Sequence, residues 1–287
     1  MATNNFKPFA IGSGANVTSQ ADYEAMAALA TGFQAGKASS AQINKALRQA
    51  TVMAYVLAQY ISDTAAVDVL DNGTPATLLA NLKSGLLTAT PGRLLNVQVF
   101  SVSGTWTKTA GAKKALIKCW GAGGGGGNTS ATAAGGGSGA GGGYSEGMFD
   151  ISVLTSATVV VGSGGTSVAA NTAGSGGNGG SSSVGSLISA SGGNGGTSTS
   201  GSSPGSSTNG GTIFAVSGQG GQGPVNALGG VGGGAFNSFG GLPHSAGVGD
   251  QGGFPGGGGA GGTKATSTSF YASGAGANGY VIITEYA

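Results

Sequence analysis

The sequence predicts a mainly β protein: a small α-helical N-terminal module over residues 1–93, then a β-sandwich-like domain with long glycine-rich loops over 94–287. Three observations predict it. Of 64 glycines in 287 residues, nine lie in the first 120 and the other 55 beyond, so about one residue in three is glycine there. Ten of the eleven Lys and Arg lie in the first 120 residues, and only Lys264 lies beyond. The apolar period changes from helical to alternating near Leu94.

The elements follow in order. TSQADYEAMAALATGF predicts a helix capped by Thr18 or Ser19, with Asp22 and Glu24 in its first turn and Tyr23, Met26, Ala27, Ala30 and Phe33 on one face. SSAQINKALRQATVMAYVLAQYISDTA is the strongest helix. Its stripe of Ile43, Leu47, Ala50, Ala54, Leu57 and Ile61 is widened by Val52, Met53 and Val56, too broad for a lone surface helix. TPATLLANLKSGLL predicts a third, with Pro75 at its first position and Gly85 near its end. These Ala-rich helices are marginal alone, so oligomerisation or docking on a larger assembly is expected. From Leu94, LLNVQVFSVSGTWTKT, ALIKCW, DISVLTSATVVVG, SLISASGG, TIFAVSG and the closing GYVIITEYA read as strands.

Composition removes several classes. A net charge of +2 gives no electrostatic case for nucleic acid or an anionic membrane. The one cysteine, Cys119, excludes an intrachain disulfide framework and, beside Ile117, points to one face of its strand as a small apolar residue. MATNNFKPFA has neither a basic nor an apolar leader segment, and no run of ~18 apolar residues exists, so export by the standard signal and a membrane-spanning helix are not expected.

One tract demands a test. ALIKCW runs into GAGGGG, which satisfies the G-x-G-x-x-G pattern of dinucleotide-binding loops, and Glu146 lies 20 residues after Gly126. The pattern also requires a helix, and NTSATAAGGGSGAGGG cannot hold one. Where every third residue is glycine, such matches arise by chance. No Walker-type Gly-Lys-Ser/Thr follows. The single histidine, His244, cannot assemble an ordinary zinc set with one distant cysteine, and no serine sits in a nucleophile elbow. Glu146 and Asp150 read as solvated surface acids. No enzyme activity, cofactor or metal is expected.

Glycine in bulk has few structural uses. Collagen needs an unbroken G-X-Y period, which GAGGGGGNTSATAAGGG violates. A flexible tether needs no aromatics, yet Tyr144, Phe149, Phe214, Phe236, Phe239 and Phe254 punctuate the tract. What remains is a compact array of extended segments, either loops packed on a sandwich or left-handed three-residue helices stacked in a lattice.

The stretch from FKPFAIGSGANVTSQADYEAM to AYVLAQYISD resembles the N-terminal region of bacteriophage tail fibre proteins. VFSVSGTWTKTAGAKKALIKCWGAGGGGG, GGGYSEGMFDIS, VVVGSGG and GANGYVIITEY resemble the glycine-rich C-terminal domain of such fibres. The resemblance implies an intertwined homotrimer in the virion tail, made in the host cytoplasm. Its N-terminal part would dock on a tail or baseplate protein. The C-terminal part would be an adhesin for a host surface glycan or outer-membrane protein. Phe236, Phe239, His244, Phe254, Phe270 and Tyr271 are the candidate receptor contacts, because aromatics bring large contact area; core packing is the competing role for the phenylalanines. A structural tail-tip or baseplate component, or a polysaccharide-degrading tailspike, are the alternative readings.

Overall fold

The structure, a computed structural model, describes residues 2–34, 39–130, 134–205, 207–209, 213–266 and 268–287. It divides into two units, Met1–Pro91 and Gly92–Ala287.

In the first unit Ser19 caps α1 (Gln20–Glu24), its Oγ accepting the Asp22 N–H at 3.2 Å. The helix expected over 18–33 is not continuous: α1 ends at Glu24 and α2 spans Ala28–Thr31. Neither buries a side chain, so no packing offsets the cost of nucleating a longer helix. α3 (Ser40–Ala65) and α4 (Pro75–Ala89) match the expected positions, with Pro75 opening α4. They enclose a small core of Ala58, Ile61 and Val69, flanked by Phe6, Leu78 and Leu82. Gly85, expected near a helix end, lies inside α4. A methyl there would strike the Thr64 hydroxyl of α3, so glycine permits the two helices to approach. The α3 stripe is only partly covered: Ile61 is buried, while Ile43, Leu47, Met53, Val56 and Leu57 are exposed.

The second unit has two five-stranded antiparallel sheets. One orders β1 (Leu94–Phe100), β10 (Tyr280–Tyr286), β3 (Lys114–Trp120), β4 (Tyr144–Asp150) and β9 (Phe214–Val216); the other orders β2 (Gly104–Thr107), β5 (Ser156–Val160), β6 (Ser182–Val184), β7 (Ile188–Ala190) and β8 (Ser207–Asn209). Alternation decides what is buried. Ala115, Ile117 and Cys119 of β3 and Val281 and Ile283 of β10 share one core with Trp106, Val159, Val184, Ile188 and Ala190 of the other sheet. Glu285 is also buried, its carboxylate accepting the Thr109 N–H at 2.8 Å, the Thr109 hydroxyl at 2.7 Å and the Gln98 amide at 3.0 Å.

Between the strands the glycine tracts are not irregular loops. Along residues 121–128 the hydrogen bonds repeat every three residues. The N–H groups of 121, 124 and 127 donate to the carbonyls of 143, 140 and 137; those of 122, 125 and 128 to 180, 177 and 174; those of 123 and 126 to 277 and 274, all at 2.8–3.0 Å. Carbonyls of the same run accept from 165, from 193 and 196, and from 259 and 262. No bond lies within the run, and none of its glycines has a positive φ. A three-residue turn without internal hydrogen bonds is the polyproline-II helix. Of the two arrays open to the sequence, the chain builds the stacked lattice.

Residues 135–143 and 256–262 have the same surroundings. These two and 121–128 bond to one another, and each also bonds to neighbours drawn from 162–168, 174–180, 191–197, 202–205, 218–222, 229–234, 240–242, 249–253 and 273–279. The three central runs are buried throughout, with almost no side chain in them. Their glycines are required by close approach: a methyl on Gly124 would overlap the Asn194 carbonyl, one on Gly139 that of Gly124, and one on Gly258 that of Gly139.

Candidate binding surface

The lattice has two ends, and the strands define one of them. β3 ends at Trp120 and passes into 121–128; 135–143 passes into Tyr144 of β4; 273–279 passes into Tyr280 of β10. At this end the aromatics gather. The Tyr144 ring lies 4.6 Å from Trp120 and 4.3 Å from Phe236, on which it stacks, while Phe254 meets Tyr280 edge-on at 5.1 Å. The Trp120 indole N–H donates to the Phe236 carbonyl at 3.0 Å.

The register of the runs assigns the opposite end. Runs 121–128, 191–197 and 256–262 are parallel, and 135–143 and 174–180 run against them. The turns at 169–173, 198–201, 223–228 and 243–249, with residues 129–130, 134, 264–266 and 268–272, therefore emerge together, away from the strands. Residues 131–133 and 267 lie outside the described residues.

The six candidates do not form one patch. Phe236, Phe239 and Phe254 belong to turns at the strand end. Phe236 is half-buried in the aromatic stack, whereas Phe239 and Phe254 are 70% and 54% exposed. His244, Phe270 and Tyr271 belong to the far end. His244 is exposed, with Nε2 2.8 Å from the Asp250 carboxylate. Phe270 is buried at 5% exposure, its N–H donating to Asn171 Oδ1 at 2.7 Å, so its ring packs inside. The Tyr271 N–H donates to the Thr263 carbonyl at 2.8 Å, and its own carbonyl accepts the Asn128 amide at 3.0 Å. What sequence reasoning missed is the far-end cluster of Val225, Asn226, Ser245 and Lys264. The isolation of Lys264 in an almost uncharged tract was the available signal.

Every N–H from Gly121 to Gly127 is already bonded to a carbonyl, so this tract presents no free amide row to a phosphate. Burial pushes the Cys119 thiol from 9.0 up to about 12. Burial and the adjacent Glu146 carboxylate, which accepts the Tyr144 hydroxyl at 2.5 Å, hold the Tyr144 phenol above its ordinary range. Glu146 is more enclosed than a solvated surface acid, lying 3.8 Å from Lys118. Hydrogen bonds from the Ser152 hydroxyl and then from its N–H, at 2.8 Å, hold the Asp150 carboxyl below its ordinary range. Among the described residues no group of three or more His, Cys, Asp or Glu could hold a metal ion. No described helix is long and apolar enough to cross a membrane.

Residues 99–286 match the Glycine-rich domain family. The chain belongs to that family. The match runs from the end of β1 to the end of β10 and includes the glycine-helix lattice. Among curated proteins no sequence matches the chain.

Proposed function

We propose that this glycine-rich protein is a bacteriophage tail fibre adhesin that attaches the virion to a host surface glycan or outer-membrane protein, without catalysis. The observation that carries the reading is the gathering of the turns at one end of a lattice whose core is hydrogen-bonded backbone. Binding residues are often carried on loops held by a rigid scaffold. Here the turns project from runs pinned every third residue, so a change in a turn leaves the hydrogen bonds of the support in place. Binding through loops already ordered avoids part of the entropy of association. The N-terminal resemblance to tail fibres supplies the virion setting.

Two finer features belong to the same proposal. The two sheets pack as a β-sandwich, supported by the single core that their side chains share. Three copies assemble through the helical module, supported by the exposed Leu47, Met53, Val56 and Leu57 on α3. The test of function is direct. Purified chain is expected to bind host cells and to block phage adsorption. Failure of both would leave the structural tail-tip reading, and new reducing ends on incubation with host polysaccharide would mark a depolymerase. Sedimentation tests the assembly: the chain is expected as a trimer and Leu47→Glu as a monomer, and a monomeric parent chain removes the trimer.

A further inference from the structure

At the far end of the lattice the turns 223–228 and 243–249 and the start of the turn at 264 border a cleft of about 420 Å³, within the usual range for small-ligand sites. Its walls are of three kinds. Lys264 contributes a cation, Asn226, Ser245 and Thr263 contribute amide and hydroxyl groups, and Val225 and Leu228 contribute apolar surface.

Lys264 is the unusual member. It is the only Lys or Arg after Lys118. Among the described residues no carboxylate lies within ion-pair distance of it, and Asp250 at the same end is engaged by His244. Its backbone is held in place: the Lys264 N–H donates to the Ala227 carbonyl at 2.9 Å, and Lys264 pairs with Phe270. The opposite wall is equally fixed, because Val225 and Leu228 exchange both backbone hydrogen bonds, at 3.0 and 3.1 Å, around Asn226 with φ 54°. Thr263 forms part of the floor, its Oγ1 accepting the Gly229 N–H at 3.1 Å. Val225 stays 67% exposed on this fixed turn.

From this we infer that the cleft is a binding site for one negatively charged sugar unit, with Lys264 holding its carboxylate or phosphate. The hydroxyl edge of the sugar meets Asn226 and Ser245, and its C–H face covers Val225 and Leu228. A wholly apolar ligand would leave the amide and hydroxyl groups unpartnered, and a bare inorganic anion would leave the apolar wall uncovered. A charged sugar ring uses all three surfaces. The inference deepens the adhesin reading and rests on it for its biological setting.

The experiment titrates the full chain calorimetrically with a glucuronic-acid oligosaccharide, a phosphorylated oligosaccharide and a neutral oligosaccharide of the same length. At least one charged ligand is expected to bind about tenfold or more tighter than the neutral one. Preference for the first marks a uronate, and for the second a phosphorylated sugar. Lys264→Met, which removes the charge and leaves the backbone bond to Ala227, is expected to abolish the preference, and Lys264→Arg to keep it. Equal binding of charged and neutral sugars, no binding of any, or an unchanged preference in Lys264→Met overturns the site. Adsorption to cells separates the two readings. Charged-sugar binding without adsorption removes the adhesin and keeps the cleft. Adsorption that survives in Lys264→Met, with no sugar bound, removes the cleft and keeps the adhesin.

Discussion

Two cores lie within residues 92–287, and they are made of different material. The sheets bury Trp106, Ile117, Val159, Ile188 and Ile283 against one another. There, removal of apolar side chains from water supplies the stability, and a side chain can be exchanged for another of similar volume. The lattice buries 121–128, 135–143 and 256–262, which carry scarcely any side chain. Its stability comes from backbone hydrogen bonds in three directions and from dispersion between tightly packed main chains, set against the large conformational entropy that glycine loses. The two cores should therefore fail differently. A side-chain core suffers from atoms removed, and a backbone core from atoms added.

The largest expected effect is at Gly139. Alanine there drives a methyl into the Gly124 carbonyl, and both runs are held by hydrogen bonds on every side. Gly139→Ala should cost more than about 4 kcal/mol or prevent folding, as read by urea unfolding. A loss below about 1 kcal/mol would show that the runs can slide apart, and the contrast between the cores would disappear. Next comes Ile117→Ala in the sheet core, expected to cost about 2–5 kcal/mol with the fold retained. Ser138→Ala sharpens the comparison inside the lattice. The Ser138 Oγ donates to the Val231 carbonyl at 2.5 Å and accepts the Gln222 N–H at 2.7 Å, but that N–H also donates directly to the Val231 carbonyl at 3.1 Å, so the loss removes hydrogen bonds without orphaning either group and should cost about 0.5–1.5 kcal/mol by urea unfolding.

A pH series reads the sheet core by itself. The Cys119 thiol titrates at about 12 when folded and near 9.0 when exposed. Above the lower value the unfolded chain gives up a proton that the folded chain keeps. The Cys119 contribution is thus present in full below about pH 9 and is lost as pH rises toward 12. Cys119→Ala should flatten the fall of the melting temperature across that window, and thiol reagents should label the parent chain only on unfolding. The smallest effect is at Gly12, where a methyl meets nothing within 4 Å. Gly12→Ala should change stability by no more than about 0.5–1 kcal/mol, in the stabilising direction, by restricting the unfolded chain. The same substitution then spans the range from negligible to destructive, according to what stands beside the glycine.

How much of this was legible varies along the chain. The strands were readable wherever apolar residues alternate, as at Ala115, Ile117 and Cys119 or Val281 and Ile283. They were not readable where a strand is three residues of small side chains, as at Ser182–Val184 and Ser207–Asn209. The lattice has a sequence signal that its own interior hides. In outer runs one face meets solvent, and a larger residue returns every third position: Ser163 and Thr166, Ser175 and Asn178, and Asn194 and Thr197 are all exposed. Some also complete the hydrogen bonding, as Asn178 Oδ1 accepts the Gly195 N–H at 2.8 Å. In 121–127 no face meets solvent, so glycine or alanine stands at every position and no period can be seen. The candidate contacts rest on aromatic character, which selects three residues at each end of the lattice and none that lines the far-end cleft, whose walls carry no aromatic side chain.

By itself the sequence determined the division between helical and glycine-rich regions, the alternating strands, and the demand for close backbone packing. Those are local properties of composition and period. Only the tertiary structure decided that the glycine runs are three-residue helices, which run is central, and which turns share an end. Each of those depends on hydrogen bonds between residues far apart in the chain, such as 121 with 143 and 123 with 277, and a glycine carries no side chain to mark its partner.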